Sequence, residues 1–417
     1  MFLKIRSIRE PRQKLLSVFT IIFFMSFIWS FAISSIMYGV FLLFFFIDKK
    51  NVINKLKLLS KNRTILIYGL YFMIILVGLS YSKNWQQGLD KVISLSPLII
   101  LPAIWISEQL NLKHFEVILN YVKYLVIFSF LLLIFNHLYI ESRQLGTFVQ
   151  YAIYRRIGAS QFYIAFILFI PILHCFYELE KKKQIALNIL CITFLFFCVM
   201  ILNNKTSFVL AFVLLVVGLF KVLRTSSLKI KILSIITISL VFLILMSSST
   251  KEFKTKYEVF VKTTDFDIEI IKTKNSVTYT QNTFEHRILI WYISLSEIIK
   301  NLPFGVGTGD YQEVLNNRYE DINFKTGLKL NLNCHNQYFT EFLRTGLLGG
   351  AAFLILIFYL IQKASFTDKY YLFMIFSFAI SCFFESLLER QHGVMIFAFF
   401  IPFFLSYDKE LKSVPHE

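Results

Sequence analysis

Residues 331–350 read NLNCHNQYFTEFLRTGLLGG, and the rest of the chain is organised around this stretch. It opens polar, with His335 and Asn336 side by side, and passes through an amphipathic turn. It then reaches Gly346-Leu347-Leu348-Gly349-Gly350 at the head of a long apolar run. Upstream lies an extended polar segment, Lys251 to Asn333, carrying Arg287 and the run Pro303-Phe304-Gly305-Val306-Gly307. A loop that delivers a His-Asn pair straight to the start of an apolar helix places polar chemistry against the edge of a membrane domain.

Composition agrees with that reading. The 417 residues are 56% hydrophobic and include 48 Phe, with a mean hydropathy of +0.63, whereas soluble domains sit near about 45–50% apolar. Windows of roughly 17–25 apolar residues suffice to cross a bilayer as helices. They occur near 15–30, 32–47, 64–81, 92–107, 117–136, 161–178, 185–202, 207–222, 231–249, 345–362, 371–388 and 392–407. The expectation is an all-α integral membrane protein of about twelve spans. It divides into an N-terminal bundle (1–249), one large loop (250–344) and C-terminal helices with a tail (345–417). No small-residue cleavage site follows the first apolar run, so no cleaved leader is expected.

The net charge of +17 does not point to nucleic acid, because of where it lies. Residues 250–341 hold 11 Lys+Arg against 12 Asp+Glu. The excess sits in tails and short loops. With both termini cytoplasmic, the inner segments hold 23 Lys/Arg and the short outer loops 7. That asymmetry is the positive-inside pattern, and it places the long loop outside the cytoplasm. Four of the five cysteines (Cys175, Cys191, Cys198 and Cys382) fall in apolar runs, and Cys334 stands alone in the loop. There is no CxxC and no Cys/His spacing suited to zinc, so neither a disulfide framework nor a metal is expected.

Taken in order, the chain offers few polar landmarks before the large loop. Ser80–Lys91 and Asn136–Ser160 read as outer loops, the second ending with Arg155 and Arg156 just ahead of a span. These two arginines either anchor at the headgroup level or serve a site. Lys205, in Asn203-Asn204-Lys205-Thr206-Ser207, is either a solvated hairpin tip or a cation facing a cavity. Residues 251–282 show no strong period. From Phe284 to Lys300 apolar residues recur at helical spacing, and Asn301-Leu302-Pro303 stops that helix. A second amphipathic helix is expected from Asp310 to about Tyr319. The GxGxG run lacks a preceding strand and a βαβ setting, so a turn packed closely on a helix is favoured over a nucleotide loop.

Arginine at a bilayer surface suits a lipid diphosphate: its fork of donors matches phosphate oxygens and it stays charged when partly buried. A diphosphate leaving group needs such compensation as a glycosidic bond breaks. Histidine works near neutral pH as a base for an incoming hydroxyl.

The order Arg287-x-x-x-Trp291, then Asn301-Leu302-Pro303-Phe304-Gly305-Val306-Gly307-Thr308-Gly309-Asp310-Tyr311, then His335-Asn336 with Gly346 eleven residues on, resembles the O-antigen ligase/polymerase superfamily. The resemblance implies a bacterial inner-membrane, multi-span glycosyltransferase of GT-C type with one large periplasmic loop. The implied donor is a glycan on undecaprenyl diphosphate, and neither a nucleotide sugar nor a cofactor takes part. It implies His335 and Arg287 as catalytic residues, with Arg156, Arg155 and Lys205 gripping the diphosphate and Asn336, Trp291, Gly305 and Gly307 supporting the loop. Two departures stand out. Lys205 lies where the family often has arginine, and Arg344 where it often has an acidic residue. The expected acceptor is a lipid A core, as in an O-antigen ligase. Another lipid-linked repeat unit (a polymerase) and a protein hydroxyl (an O-oligosaccharyltransferase) are the alternatives within the class. A polysaccharide transporter or flippase is the rival from outside it, disfavoured by the absence of two similar halves.

Overall fold

The structure, a computed structural model, describes residues 11–47, 52–108, 110–225, 260–280, 282–363 and 369–413. Among these every regular element is a helix. The first group comprises α1 (Pro11–Trp29), α2 (Phe31–Ile47), α3 (Val52–Ser60), α4 (Arg63–Ser80), α5 (Trp85–Leu95), α6 (Pro97–Ser107), α7 (Leu112–Phe135), α8 (Gln161–Glu180), α9 (Ile185–Ile201) and α10 (Lys205–Thr225). The loop region holds α11 (Ile268–Val277), α12 (Thr283–Lys300), α13 (Tyr311–Asp321) and α14 (Lys325–Leu330). The chain closes with α15 (Gln337–Lys363), α16 (Lys369–Ser381) and α17 (Gln391–Ser413).

Among the described residues six stretches are long and apolar enough to cross a membrane: α1, α4, α5 with α6, α7 with its extension to Ile140, α8 and α15. The pair α2–α3, bent by 107°, makes a seventh if it counts as one span. Helices α9, α10, α16 and α17 contribute shorter apolar segments of 10–17 residues. The expected span at 231–249 lies outside the described residues. The described residues are thus all-helical, with the several apolar helices of a multi-pass membrane protein.

Between helices in lipid there is little hydrophobic drive, so close packing must hold the bundle. Here aromatic rings supply it. Trp105 of α6 meets Phe399 and Phe403 of α17 edge-on, with centroids 5.0 Å apart in each pair, an arrangement that ring quadrupoles favour. Phe23 and Phe24 of α1 pack against Phe399 and Phe400 from the other side.

Three stretches differ from expectation. The Ser80–Lys91 loop becomes helical at Trp85, because the Asn84 side chain accepts the Gln87 N–H (3.2 Å) and caps α5. The Asn136–Ser160 loop is wound into π-helical turns, Asn136–Ile140 and Val149–Ile157. And α16 ends at Ser381 rather than near 388. Its continuation turns aside to bond the start of α15: Gln337 N–H donates to Cys382 O (2.8 Å), Asn336 N–H to Ser386 Oγ (3.2 Å), and Leu388 N–H to Gln337 Oε1 (2.7 Å).

The loop region builds its own small core from Ile271, Leu289, Ile290, Ile293, Leu315, Tyr319, Phe324 and Cys334. Helix α12 follows the expected stretch. It is capped by the Asn282 side chain, which accepts from Phe284 N–H (3.1 Å) and Glu285 N–H (3.3 Å), and it stops before Pro303. Helix α13 matches the expected second helix.

A joint of backbone bonds seats this region on the bundle. Helix α15 breaks at Thr345 and Gly346, where Gly346 takes φ 64°, ψ −147°. A broken helix leaves carbonyls without partners. Those of Leu343 and Arg344 accept instead from Val306 N–H (3.0 Å) and Gly307 N–H (2.9 Å), while Leu347 N–H donates to Pro303 O (2.8 Å). The approach is so close that a Cβ on Gly305 would stand 2.5 Å from Gly346 N, and one on Gly346 1.9 Å from Pro303 O. The same loop reaches α4 and α5: Thr308 Oγ1 donates to Ile75 O (2.7 Å), and the Asp310 carboxylate accepts from Lys83 N–H and Asn84 N–H (2.7 Å each). The glycine run is a turn packed against helices, as its setting in the sequence suggests.

Candidate functional site

The joint fixes both halves of the site. Arg287 lies on α12 soon after its cap, and His335 ends the polar stretch two residues before α15. His335 adopts a left-handed backbone (φ 44°), and its N–H donates to Asn333 Oδ1 (2.9 Å). Trp291, one turn beyond Arg287, donates from Nε1 to the His335 carbonyl (3.4 Å). Asn336 then caps α15, its Oδ1 accepting from Phe339 N–H (3.1 Å).

The two candidate residues meet on a third. Arg287 Nη2 donates to Glu385 Oε1 at 2.8 Å, and His335 Nδ1 lies 3.0 Å from Glu385 Oε2. A carboxylate only accepts, so Nδ1 carries the proton in this contact. Nε2 is then left as the ring's other face, without a hydrogen bond among the described residues. Arg287 keeps further N–H donors free in the same sense. All three side chains remain between a quarter and a third exposed. Burial works against the Glu385 charge. The bond from His335 and the charges of His335, Arg287 and Arg390 outweigh it, and hold the carboxyl below the ordinary glutamate range. The arrangement offers a cation and a base oriented by a carboxylate, each with polar atoms left unused.

The other expected site residues sit apart from this triad. Arg156, on the second π-helical turn, pairs with Glu141 and donates to Asn136 Oδ1 (2.5 Å). Arg155 stacks over the Tyr151 ring at 4.7 Å. Lys205 is exposed at the start of α10, behind the Asn204 side chain that caps Ser207 N–H (2.8 Å). None of the three touches Arg287, His335 or Glu385. Tyr154, next to Arg155, lies within electrostatic range of Arg390 and Glu385. Asn336, Trp291, Gly305 and Gly307 all hold the backbone of the site.

Sequence reasoning missed Glu385 and Arg390, because both fall at the seam of two apolar runs. The available signal was three charges, Glu385, Glu389 and Arg390, within six residues. It also missed why Arg344 departs from the acidic pattern. Arg344 is fully buried, with Nη1 3.0 Å from Glu341 Oε1 and Nη2 on Glu389 Oε1. Lys91 Nζ lies 3.0 Å from the same Glu389 oxygen and donates to Leu388 O (2.5 Å), while the Tyr311 hydroxyl donates to Glu389 Oε2. Two cations balance two carboxylates. Burial again opposes the Glu389 charge, but Arg344 and Lys91 bring its carboxyl down to about 2. Here Arg344 is an internal counter-ion.

No curated protein matches the chain. Residues 190–354 match the family model described as O-antigen ligase. The matched stretch holds Lys205, Arg287, the glycine run and His335, begins after Arg155 and Arg156, and ends before Glu385. Over residues 190–354, less than half of its length, the chain is thus similar to the O-antigen ligase-like superfamily.

Proposed function

We propose that the chain moves a glycan from undecaprenyl diphosphate to an acceptor hydroxyl on the periplasmic face of the bacterial inner membrane, with the lipid A core as acceptor. The observation that carries this reading is the convergence of Arg287 and His335 on Glu385. In the proposed step the acceptor oxygen attacks the anomeric carbon while the bond to the diphosphate breaks. The diphosphate leaves with the electron pair, and the hydroxyl proton passes to His335 Nε2. Glu385, bonded to Nδ1, stabilises the resulting imidazolium. Arg287 compensates the charge growing on the diphosphate, and attack opposite the leaving group inverts the linkage. Arg156, Arg155 and Lys205, apart from the triad, are the further residues assigned to the diphosphate.

Purified protein in lipid nanodiscs tests the division of labour. His335→Ala should leave donor binding nearly intact while transfer falls by roughly 10²–10⁴-fold, the usual span for a general base. Arg287→Lys keeps the charge but loses the fork, and should weaken donor binding as well as transfer. A His335→Ala protein that transfers at the wild-type rate overturns the assignment. The siding has its own test: a reporter active only in the periplasm should be on when fused near Lys274 and off near Lys182. A deletion strain separates acceptors. Loss of all polymer from lipid A, with lipid-linked chains accumulating, means a ligase; one repeat unit left on lipid A means a polymerase.

A further inference from the structure

We infer that α12, the helix that carries Arg287, lies in the surface of the bilayer with one apolar stripe seated in lipid hydrocarbon. The stripe is Phe284, Ile288, Tyr292, Leu295 and Ile299. At 3.6 residues per turn these five share an arc of about 80°. Four of them are strongly exposed, Ile299 to 64%, and the stripe runs on past the helix into Leu302 and Phe304, the latter 69% exposed. Ile288, at the centre of the stripe, is half-buried against the loop core, and the other four lie outside it. The opposite face of α12, with Leu289, Ile290 and Ile293, already fills the loop core. A continuous apolar strip of this kind on a water-facing surface marks an interaction site.

The position of the helix says what covers the strip. At its C-terminal end, Pro303 O accepts from Leu347 N–H (2.8 Å), where the long apolar part of α15 begins. Phe304 O accepts from the Tyr81 hydroxyl (2.6 Å), and Tyr81 ends the span α4. Toward its N-terminal end, Arg287 bonds Glu385, four residues past the end of α16, and Trp291 bonds His335, two residues before α15. A helix tied at both ends to the termini of membrane helices runs along the membrane surface rather than away from it. The strip is also continuous with exposed Leu347 and Leu348 on α15, a helix long and apolar enough to span. Lys272 Nζ, 4.9 Å over the Tyr292 ring, supplies a cation beside the strip, as at a headgroup boundary. The occupant is therefore the acyl region of the leaflet on the side of the site. Arg287, on the flank of the strip, is brought to the depth of lipid phosphates. This inference does not depend on the proposed transfer reaction.

The test uses single cysteines at Leu295 and Ile299, with Glu320→Cys on exposed α13 as control. The five native cysteines are buried, so a small fluorophore labels the new site. In nanodiscs carrying phospholipid with a nitroxide high on its acyl chain, labels at 295 and 299 should be quenched several-fold more than at 320, and protected from aqueous iodide. If a cysteine variant fails to fold, Tyr292→Trp read against brominated acyl chains gives the same contrast. Iodide quenching at 295 and 299 equal to that at 320 overturns the inference. Protection from both quenchers also overturns it, since the strip is then covered by protein rather than by lipid.

Discussion

Two carboxylates four residues apart, Glu385 and Glu389, sit at the centre of two unlike ionic clusters. Each bridges two groups from different parts of the chain. Glu389 joins Arg344 and Lys91 in a sealed pocket, with Glu341 and the Tyr311 hydroxyl completing the set. Glu385 joins Arg287 and His335 at a surface where about a third of each of the two paired side chains, Arg287 and Glu385, is exposed. In the sealed cluster the formal charges cancel. In the open one, donors and a ring nitrogen are left over. The same residue type thus does structural work where its partners are used up, and supports chemistry where they are not.

The largest effect should come from unbalancing the sealed cluster. Arg344→Ala leaves two buried carboxylates with a single cation, and breaking a buried pair in this way typically costs about 3–5 kcal/mol. The expected outcome is loss of folded protein in membranes or a sharply lowered melting temperature in detergent. If Arg344→Ala melts like the wild type, the contrast between the clusters collapses.

Glu385→Gln should do the opposite, sparing the fold and harming the rate. Losing a charge-assisted hydrogen bond is worth about 1.5–3 kcal/mol, or roughly 10–150-fold in transfer. The exposed pair contributes little to stability. A variant whose melting temperature falls while its rate holds would assign Glu385 to architecture instead.

Acid offers a graded version of the comparison. Both carboxyls are held below their ordinary value. Their contributions to stability are therefore complete above the ordinary glutamate pKa of about 4.3 and fade as pH falls below it. For Glu389 the loss extends down through about 2. Melting temperature should accordingly hold between about pH 7 and 5 as far as these two groups are concerned, then drop. Glu389→Gln should flatten that acid limb.

The smallest expected effect is none. If arginine compensates the diphosphate, a strong chelator should leave the transfer rate of purified membranes unchanged. Abolition that a single divalent ion rescues would move the open cluster to another class of enzyme.

What was legible in the sequence follows from the same contrast. Arg287 and His335 stand in polar surroundings, where their order along the chain carries a pattern. Glu385 does not: Phe383, Phe384, Leu387 and Leu388 surround it, and averaging over a window reads all of 371–388 as apolar. The glycine run was readable as a tight turn, but its partners were not. Gly78, Gly88 and the α15 break lie far off in the chain and meet it only in the fold. Helix α11 escaped notice because Ile268, Ile270 and Ile271 give no helical period. Its start is set by the Asp267 side chain accepting from Glu269 N–H (2.8 Å).

The backbone joint at Gly346 also has a consequence for how the chain is made. Pro303 and the glycine run leave the ribosome some forty residues before Leu347, roughly 2–9 s earlier at ~5–20 residues per second. During that delay α4 and α5 already stand ready to receive Thr308 and Asp310. The carbonyls of Leu343 and Arg344 do not yet exist, and neither does the core residue Cys334. The loop must therefore wait half-docked and complete its core only once the start of α15 has been synthesised. Chimaeras that exchange the loop between relatives should mature only when both sides of the joint, 302–310 and 343–347, are exchanged together.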